Sequence, residues 1–268
     1  MKILVFDTET NDKPPLMKNG NWFTNKRLLS KPDFERKDDG LWTEMLDKWP
    51  HIIQLAFILY DTENPAKSKI FNKYIDIPDS VKITKETEKI HHITREKISK
   101  LSNKKKGSIA SVLNEFLRNV EEADVIVGHN VDFDRTMIIS EVLRINEHKN
   151  EKLLNIMFDD SRFECTQKIT KPTIKSGKYK WKGPKLIESY KHFFGYSPKP
   201  EMLHDAIIDV IICLRVYCIS LQEPFDIFND NKKITNYINK ITPKPLTKCK
   251  KHLISITTKR RTRKMDNK

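Results

Sequence analysis

Apolar residues occur in short continuous runs in the first third of the chain and at helical spacing further on. The runs Ile3–Phe6, 51–61 (HIIQLAFILYD) and 69–78 (KIFNKYIDIP) predict three strands, and 124–130 (DVIVGHN) predicts a fourth that ends at Gly128. Strands followed by strand–helix alternation are typical of an α/β domain in which helices pack on a sheet.

Five segments have apolar residues at the spacing of a helix. They are 84–94 (TKETEKIHHIT), 108–122 (SIASVLNEFLRNVEE), 133–147 (FDRTMIISEVLRINE), 185–195 (KLIESYKHFFG) and 206–221 (AIIDVIICLRVYCISL). Gly195 is expected to end the fourth helix, because glycine readily adopts the left-handed backbone found at helix C-termini. The fifth segment is apolar almost throughout, so we expect a mostly buried helix.

Two polar segments show neither pattern. Residues 12–48 contain several Pro and Gly residues and predict a long inserted loop, and the basic segment 160–184 predicts a second loop. Within 168–185, lysines are interspersed with Tyr179 and Trp181. This composition suits contact with single-stranded nucleic acid, and it is equally typical of a solvated loop.

Positive charge is concentrated at the C-terminus. The formal net charge is +14, and residues 243–268 hold ten basic residues against one acid, Asp266, which is a local charge of +9. A charge of this size indicates a polyanionic partner or simply a lysine-rich surface. We predict a folded domain over 1–221 and a basic, flexible extension over 222–268, because the last residues hold too few apolar side chains to bury a core.

The cysteine pattern and the lengths of the apolar runs bear on the compartment. The four cysteines form no CxxC pair, which disfavours a zinc ribbon or a redox dithiol and fits reduced thiols. The N-terminal run is too short for a signal peptide, and IIQLAFILY (52–60) is too short to span a membrane. We therefore expect a soluble intracellular protein, in the cytoplasm or the nucleus, without a membrane partner.

Three acidic stretches carry the candidate chemistry: FDTET (6–10), GHNVDFD (128–134) and HDAIIDV (204–210). Because strand side chains alternate between faces, Asp7 and Glu9 point the same way at the end of the first strand. Such like charges repel unless a cation lies between them, and clustered carboxylates bind hard divalent cations. The sequence therefore predicts a site for two divalent ions that act on a phosphodiester.

These stretches resemble the three motifs of the DEDDh (DnaQ-like) group of 3′→5′ exonucleases, which includes the epsilon proofreading subunit of DNA polymerase III, ribonuclease T and the TREX enzymes. The matching residues are Asp7, Glu9, His129, Asn130, Phe133, Asp134, His204 and Asp209. Weaker likeness at 49–57, 90–94 and 184–196 extends the resemblance over roughly 1–221, the predicted exonuclease domain. It implies an RNase H-like α/β fold with a mixed central sheet flanked by helices.

The resemblance also implies the roles of these residues in hydrolysis. Asp7, Glu9 and Asp209 are expected to bind one ion, Mg²⁺ or Mn²⁺, and Asp7 with Asp134 a second one. His204 is expected to be the general base that takes a proton from the attacking water, since imidazole titrates near neutrality. The expected product is a 5′-mononucleotide.

Contacts with the 3′-terminal nucleotide are implied for four further residues, Thr8, Glu86, His91 and Asn130. At two positions, one beside His91 and one after Thr10, this chain has another residue where the family usually has glycine. His92 follows His91, and its Cβ is expected to force a different backbone there. Asn11 follows Thr10, and because Asn tolerates a left-handed φ the turn can survive.

Two acids compete with the assigned ligands. Asp132 could be the ligand with Asp134 as a helix N-cap, and Asp205 lies one helical turn before Asp209. The Phe-Asp and His-x4-Asp patterns favour Asp134 and Asp209. Because positions 204 and 209 are about 140° apart around an ideal helix, His204 and Asp209 converge only if His204 precedes the helix or lies in its first turn.

The predicted function is metal-dependent 3′→5′ exonuclease activity on nucleic acid with a free, single-stranded 3′ end. Similarity to the proofreading group favours DNA over RNA, and it makes a polymerase or another replication protein a candidate partner. No sequence feature that reads the 2′-hydroxyl is recognisable. The alternatives are a 3′→5′ exoribonuclease and a non-catalytic nucleic-acid-binding module on the same fold.

Overall fold

The computed structural model describes residues 1–14, 46, 48–102, 107–145, 151–174, 183–221 and 231–242. The strands in this part are β1 (Lys2–Thr10), β2 (Ile52–Asp61), β3 (Lys69–Tyr74), β4 (Val125–Gly128) and β5 (Phe163–Cys165). They form one sheet in the order β3-β2-β1-β4-β5. Antiparallel pairing joins β1 to β2 and β2 to β3, whereas β4 runs parallel to β1 and β5. The predicted mixed sheet is confirmed.

The described helices cover both faces of this sheet. They are α1 (Lys85–His91), α2 (Arg95–Leu101), α3 (Ile109–Glu122), α4 (Asp132–Ile145), α5 (Glu151–Phe158), α6 (Thr166–Thr170), α7 (Leu186–Phe194), α8 (Ala206–Ser220) and α9 (Lys232–Ile241). Short 3-10 turns occur at Pro65–Lys67, Asp160–Arg162 and Pro200–Met202. Gly195 has φ +77° and ends α7 as predicted. No helix in the described residues is long and apolar enough to cross a membrane.

Alternation along β1 divides the core into two layers. Leu4 and Phe6 pack in one cluster with apolar residues of α3, α4 and α5. Ile3 and Val5 pack in the other cluster with residues of α7, α8 and α9. β2 is buried on both faces over nearly its whole length, which explains its continuous apolar run. Because Asp7 and Glu9 share the parity of Ile3 and Val5, β1 delivers both acids to the α8 side.

The predicted loop over 160–184 is wrong for its first half. Phe163–Cys165 forms β5 beside β4, and Thr166–Thr170 forms α6. Arg162 holds the start of this segment, because its guanidinium donates to the carbonyls of Val120 and Ala123 at 2.8 and 2.7 Å. A three-residue strand is too short to show a hydrophobic period. Tyr179 and Trp181 lie outside the described residues, as does most of the 12–48 insertion.

The prediction of a flexible extension after residue 221 is wrong over 231–242. Ile234, Ile238 and Ile241 of α9 are buried in the cluster that α8 forms with the sheet. Asn231 caps this helix, and its side-chain amide donates to the carbonyl of Pro65 at 3.1 Å. A mostly polar segment therefore folds onto the domain through three isoleucines on one helix face. Residues 243–268 lie outside the described part, and the boundary at 221 stays a prediction.

Candidate active site

The candidate site lies where β1 ends, near the middle of the sheet. Asp7 pairs with Ala56 and Glu9 with Gln54 on β2, and the register shifts between Glu9 and Thr10. Such a bulge ends regular pairing and re-aims the side chains beside it. Because β4 runs parallel to β1, both strands end at the same edge of the sheet. The residues that follow β4 are therefore delivered next to the two acids.

Asp134 reaches this edge through the turn from β4 into α4. Gly128 is required there, because an added Cβ would lie 2.8 Å from the Val131 side chain, and Asn130 takes a left-handed φ of 63°. Asp134 is 4% exposed. Its Oδ1 accepts hydrogen bonds from the Thr8 backbone N–H at 3.0 Å and from the Thr8 hydroxyl at 2.7 Å. Thr8 thus holds Asp134 against β1.

His204 and Asp209 come from the start of α8. His204 precedes the helix with a left-handed φ of 60°, and Asp209 lies in its first turn. One ligand atom from each of Glu9, His204 and Asp209 lies within 4.8 Å of the other two. His204 and Asp209 can therefore converge, because His204 precedes the helix and does not follow its rotation. A left-handed backbone at a non-glycine residue is uncommon and is often found at functional sites.

A buried glutamine holds the beginning of α8. Gln54 Nε2 donates to Asp205 Oδ1 at 2.8 Å and to Asn72 Oδ1 at 2.9 Å, and Gln54 Oε1 accepts from the Ala206 N–H at 3.4 Å. Gln54 is fully buried and lies opposite Glu9. This amide positions the turn that carries His204. Its role was not predicted from the sequence, although an amide inside the apolar run IIQLAFILY was a visible signal.

The two competing acids have other partners in the structure. Asp132 pairs with Lys168 at 3.0 Å and with Arg135 at 3.5 Å, so cations balance its charge. Asp205 is the N-cap residue of α8 and accepts the bond from Gln54. The structure thus brings Asp134 and Asp209 to the cluster at the end of β1, whereas Asp132 is paired with cations. Asp205 lies near enough to raise the pKa values of Asp7, Glu9 and Asp209, but its Oδ1 accepts the bond from Gln54. Their role as metal ligands stays a prediction.

Burial raises the pKa of all four assigned carboxylates, and repulsion by neighbouring acids adds to it for Asp7, Glu9 and Asp209. Burial is the main cause for Asp7 and Glu9, whose pKa values lie well above the usual range, and repulsion by Asp134 and Asp209 adds to it. Burial likewise raises the pKa of Asp134 to about 7, against the opposing bonds from Thr8. The pKa of Asp209 also rises to about 7, opposed by the His204 backbone N–H.

This donor set fits divalent metal ions. Among the described residues, none of the four carboxylates forms an ion pair with Lys or Arg, so a bound cation would relieve their repulsion. Carboxylate oxygens are the ligands that Mg²⁺ and Mn²⁺ prefer. Asp7 and Glu9 can therefore share one strand end because the cluster suits a positive ion.

Metal-free protein should lose stability as pH rises, and Asp209→Asn should reduce this loss. The pKa of Asp209 is higher in the folded protein than in the unfolded one, so this group's contribution to stability is fully present below the unfolded pKa near 4. The contribution is lost as the pH rises to the folded pKa of about 7. In EDTA, we expect Asp209→Asn to match wild type at pH 4 and to exceed it at pH 8 by about 2 kcal/mol, or about 4–8 °C in Tm.

Thermal unfolding of both proteins across pH 4–8 measures this difference. Asp132→Asn is the matched control, because removing an acid that pairs with Lys168 and Arg135 should give no gain. A difference between Asp209→Asn and wild type that stays constant with pH would contradict the raised pKa.

The three histidines of the motifs and the cavity, His91, His129 and His204, have different surroundings. His91 Nδ1 accepts from the Ile93 N–H at 3.0 Å, so Nε2 carries the proton toward the Thr10 carbonyl at 3.2 Å. His129 is bonded through Nδ1 to the Thr166 hydroxyl and through Nε2 to the Pro184 carbonyl, each at 2.9 Å. Burial lowers the pKa of both rings to about 4. Burial also lowers the pKa of His204, which keeps it neutral and able to accept a proton.

A cavity of about 600 Å³ adjoins the acidic cluster. Its lining includes Thr8, His91 and Asn130, three of the four residues predicted to contact the terminal nucleotide. Glu86, the fourth, is exposed on α1 and is not among the lining residues. His91 uses both ring nitrogens for backbone contacts, so it would meet a ligand through its ring surface. The Thr8 hydroxyl likewise donates its hydrogen bond to Asp134.

The two departures from the family pattern are accommodated in different ways. His92 takes the left-handed conformation at φ 55° and ψ 31° as the C-cap of α1, a backbone that glycine adopts readily, and the prediction that it differs from the family's backbone stays a prediction. Asn11 does not need a left-handed φ. Its side chain donates to the Lys82 carbonyl at 2.8 Å and accepts from the His51 N–H at 2.6 Å. The turn after β1 is thus held by hydrogen bonds.

Four carboxylates and a histidine gather at the end of the central strand of a mixed, helix-flanked sheet, the arrangement expected of an RNase H-like exonuclease. The RNase_T exonuclease family model matches residues 40–217, more than half of the chain, and the chain belongs to this family of phosphodiester hydrolases. The matched range includes Asp134, His204 and Asp209 and begins after Asp7 and Glu9. Members of this DEDDh family generally use divalent metal ions.

The fold is similar to that of exonuclease I, and two further nucleases show a weaker likeness. Exonuclease I has a TM-score of 0.55 and 13% identity over 89% of this chain and 43% of its own. The nuclease domain of 3′hExo, a DEDDh family member bound to rAMP, has a TM-score of 0.49 and 14% identity over 84% of this chain and 94% of its own.

Cell-death related nuclease 4 has a TM-score of 0.48 and 14% identity, and the match covers 82% of this chain and 64% of that one. The chain thus spans less than two thirds of this nuclease and of exonuclease I. No curated protein matches the chain in sequence.

Proposed function

We propose that this protein is a divalent-metal-dependent 3′→5′ exonuclease that releases 5′-mononucleotides. One observation carries the proposal: ligand atoms of Glu9, His204 and Asp209 lie within 4.8 Å of one another, beside the other two motif acids, Asp7 and Asp134. A binding module has no need of a general base inside an acidic cluster. Family membership supports the same reaction class.

Asp7, Glu9, Asp134 and Asp209 would hold two ions, Mg²⁺ or Mn²⁺. When bound, such ions act as Lewis acids toward a phosphodiester and toward the attacking water. The chain's own contribution is to fix the ligands before substrate arrives. Thr8 holds Asp134 with two hydrogen bonds, and the Gln54–Asp205 contact holds the turn that precedes Asp209.

His204 would accept the proton of the attacking water. Its left-handed backbone aims the imidazole at Glu9 and Asp209, and burial keeps the ring neutral at physiological pH. The 3′-terminal nucleotide would occupy the adjoining cavity, with Asn130 and Phe133 in its lining. The reaction would then proceed from the free 3′ end inward.

DNA is the proposed substrate, on the resemblance to the proofreading group, and exoribonuclease activity is the alternative. A DNA and an RNA oligonucleotide of the same sequence, each labelled at either end, should be incubated with Mg²⁺ or EDTA. We expect a ladder from the 5′-labelled strands and immediate mononucleotide release from the 3′-labelled ones, faster for DNA. Absence of cleavage in both Mg²⁺ and Mn²⁺ would contradict the exonuclease and favour a non-catalytic nucleic-acid-binding module. A polymerase or replication partner stays a prediction.

Removal of residues 243–268 should weaken substrate binding without changing kcat. Ten basic residues against one acid can hold phosphates by releasing counterions. The plot of log affinity against log salt should flatten by about 0.7 for each phosphate of a single strand that the truncated protein no longer neutralises. Binding of a labelled oligonucleotide in Ca²⁺ across a salt series, for full-length and truncated protein, measures this slope. Identical slopes would favour a different role, such as a nuclear-targeting signal.

A further inference from the structure

One surface next to the site is not used by the hydrolysis described above. We name it the α2–β3 surface and define it by Tyr74 at the end of β3, Lys97 on α2 and the backbone carbonyl of His92 between α1 and α2. Lys97 Nζ lies 5.3 Å from the centre of the Tyr74 ring and 3.5 Å from the His92 carbonyl oxygen. The three groups therefore form one continuous patch.

Backbone pairing and hydrogen bonds connect this patch to the reacting centre. Tyr74 lies opposite Gln54 in the β2–β3 ladder, and Gln54 lies opposite Glu9 and donates to Asp205. On the other side, His91 bonds to the Thr10 carbonyl and fixes the end of α1 beside the end of β1. The α2–β3 surface thus begins two strands away from Glu9, with Gln54 of β2 between them, and on the side of Asp205.

The chemistry of the patch suits a nucleic acid strand. Tyr74 and Lys97 are both partly exposed, so the ring and the ammonium group can contact a ligand. Burial, together with the nearby Asp205 and Glu9, raises the pKa of Tyr74 to about 12, which keeps the phenol neutral. An aromatic ring beside a lysine offers a base a stacking face and a phosphate a positive charge.

We propose that Tyr74 and Lys97 bind the single-stranded stretch of substrate on the 5′ side of the scissile bond. This inference rests on the proposed exonuclease function and adds to it where the rest of the strand lies. The cavity lined by Thr8, Asn130 and Phe133 accepts the terminal nucleotide, whereas the α2–β3 surface would engage nucleotides that a dinucleotide substrate lacks. The wild-type KM should therefore fall as the substrate becomes longer.

Hydrolysis of a dinucleotide and of a 12-nucleotide single strand tests the proposal in wild type, Tyr74→Leu and Lys97→Ala. Each variant should raise KM for the 12-mer about tenfold, as expected when one base is no longer stacked or one phosphate is no longer bound, and leave kcat unchanged. KM for the dinucleotide should not change. Tyr74→Phe should retain most of the affinity, because it keeps the ring.

Lys100→Ala is the matched control, since Lys100 is exposed on the same helix and pairs with Glu96 at 2.8 Å. Its KM should equal that of wild type for both substrates. Equal KM increases for dinucleotide and 12-mer in Tyr74→Leu, or no increase in either variant, would overturn the proposal.

A binding measurement separates this proposal from the proposed function. Affinity of a labelled 12-mer in Ca²⁺ should fall about tenfold in Tyr74→Leu and in Lys97→Ala, whether or not the protein hydrolyses it. Reduced affinity in these variants without any hydrolysis by wild type would refute the exonuclease function and retain the surface. Unchanged affinity of both variants, together with normal hydrolysis by wild type, would refute the role of the α2–β3 surface and leave the exonuclease function in place.

Discussion

Asp7→Asn and Asp209→Asn are expected to abolish hydrolysis while the protein stays folded. Both carboxylates lie in the cluster at the end of β1, and each would lose a charged oxygen ligand. Because bound metal ions stabilise the charged transition state by several kcal/mol, we expect a fall of about 10³-fold or more in kcat/KM. The measurement is release of mononucleotides from a 3′-labelled strand in Mg²⁺.

Asp132→Asn is the control for this experiment, because Asp132 follows the same strand as Asp134 but pairs with Lys168 and Arg135. Its rate should stay within about threefold of wild type, since Arg135 keeps its contacts with Asp160 and the Met157 carbonyl and Lys168 is exposed. Thermal unfolding in EDTA should show that Asp7→Asn and Asp209→Asn are folded and at least as stable as wild type. Substantial turnover by Asp7→Asn in Mg²⁺ would contradict its assignment as a ligand.

Features set by neighbouring residues could be predicted from the sequence. β1, β2, β4 and the helices α7 and α8 each show their period or their run within one short window. The three acidic motifs are local as well, because each joins the end of a strand or the start of a helix. Their convergence was predictable, since parallel strands end at one edge and alternation sends Asp7 and Glu9 to one face.

Features decided by distant contacts could not be predicted. β5 has three residues and exists because β4 supplies its partner. α9 is polar apart from a few residues, and the groove beside α8 decides that Ile234, Ile238 and Ile241 are buried. The helix α5 (Glu151–Phe158) was missed because eight residues are too short to show a clear helical period, and its Leu153, Leu154 and Met157 are buried by packing in the cluster that includes α4.

The supporting groups of the site show the same limit. Gln54 and Asp205 are 151 residues apart, and Thr8 and Asp134 are 126 apart. The left-handed backbones of His92 and His204 are also settled by packing, since only a few per cent of non-glycine residues take that conformation and the local sequence does not select it. Sequence motifs therefore predicted which side chains form the candidate site, whereas the structure was needed to find what holds them.

His204→Ala should lower kcat by about 10²–10⁴-fold, the usual contribution of a general base. Binding of the 3′ end should change little, because the carboxylates and the cavity stay in place. The base must be neutral, so the wild-type rate should fall as pH drops through the pKa of His204, which burial places below its ordinary value. The variant should lose this acidic limb. His192→Ala, an exposed histidine on α7, should keep both rate and profile. A variant with reduced kcat and an unchanged pH profile would show that another group takes the proton.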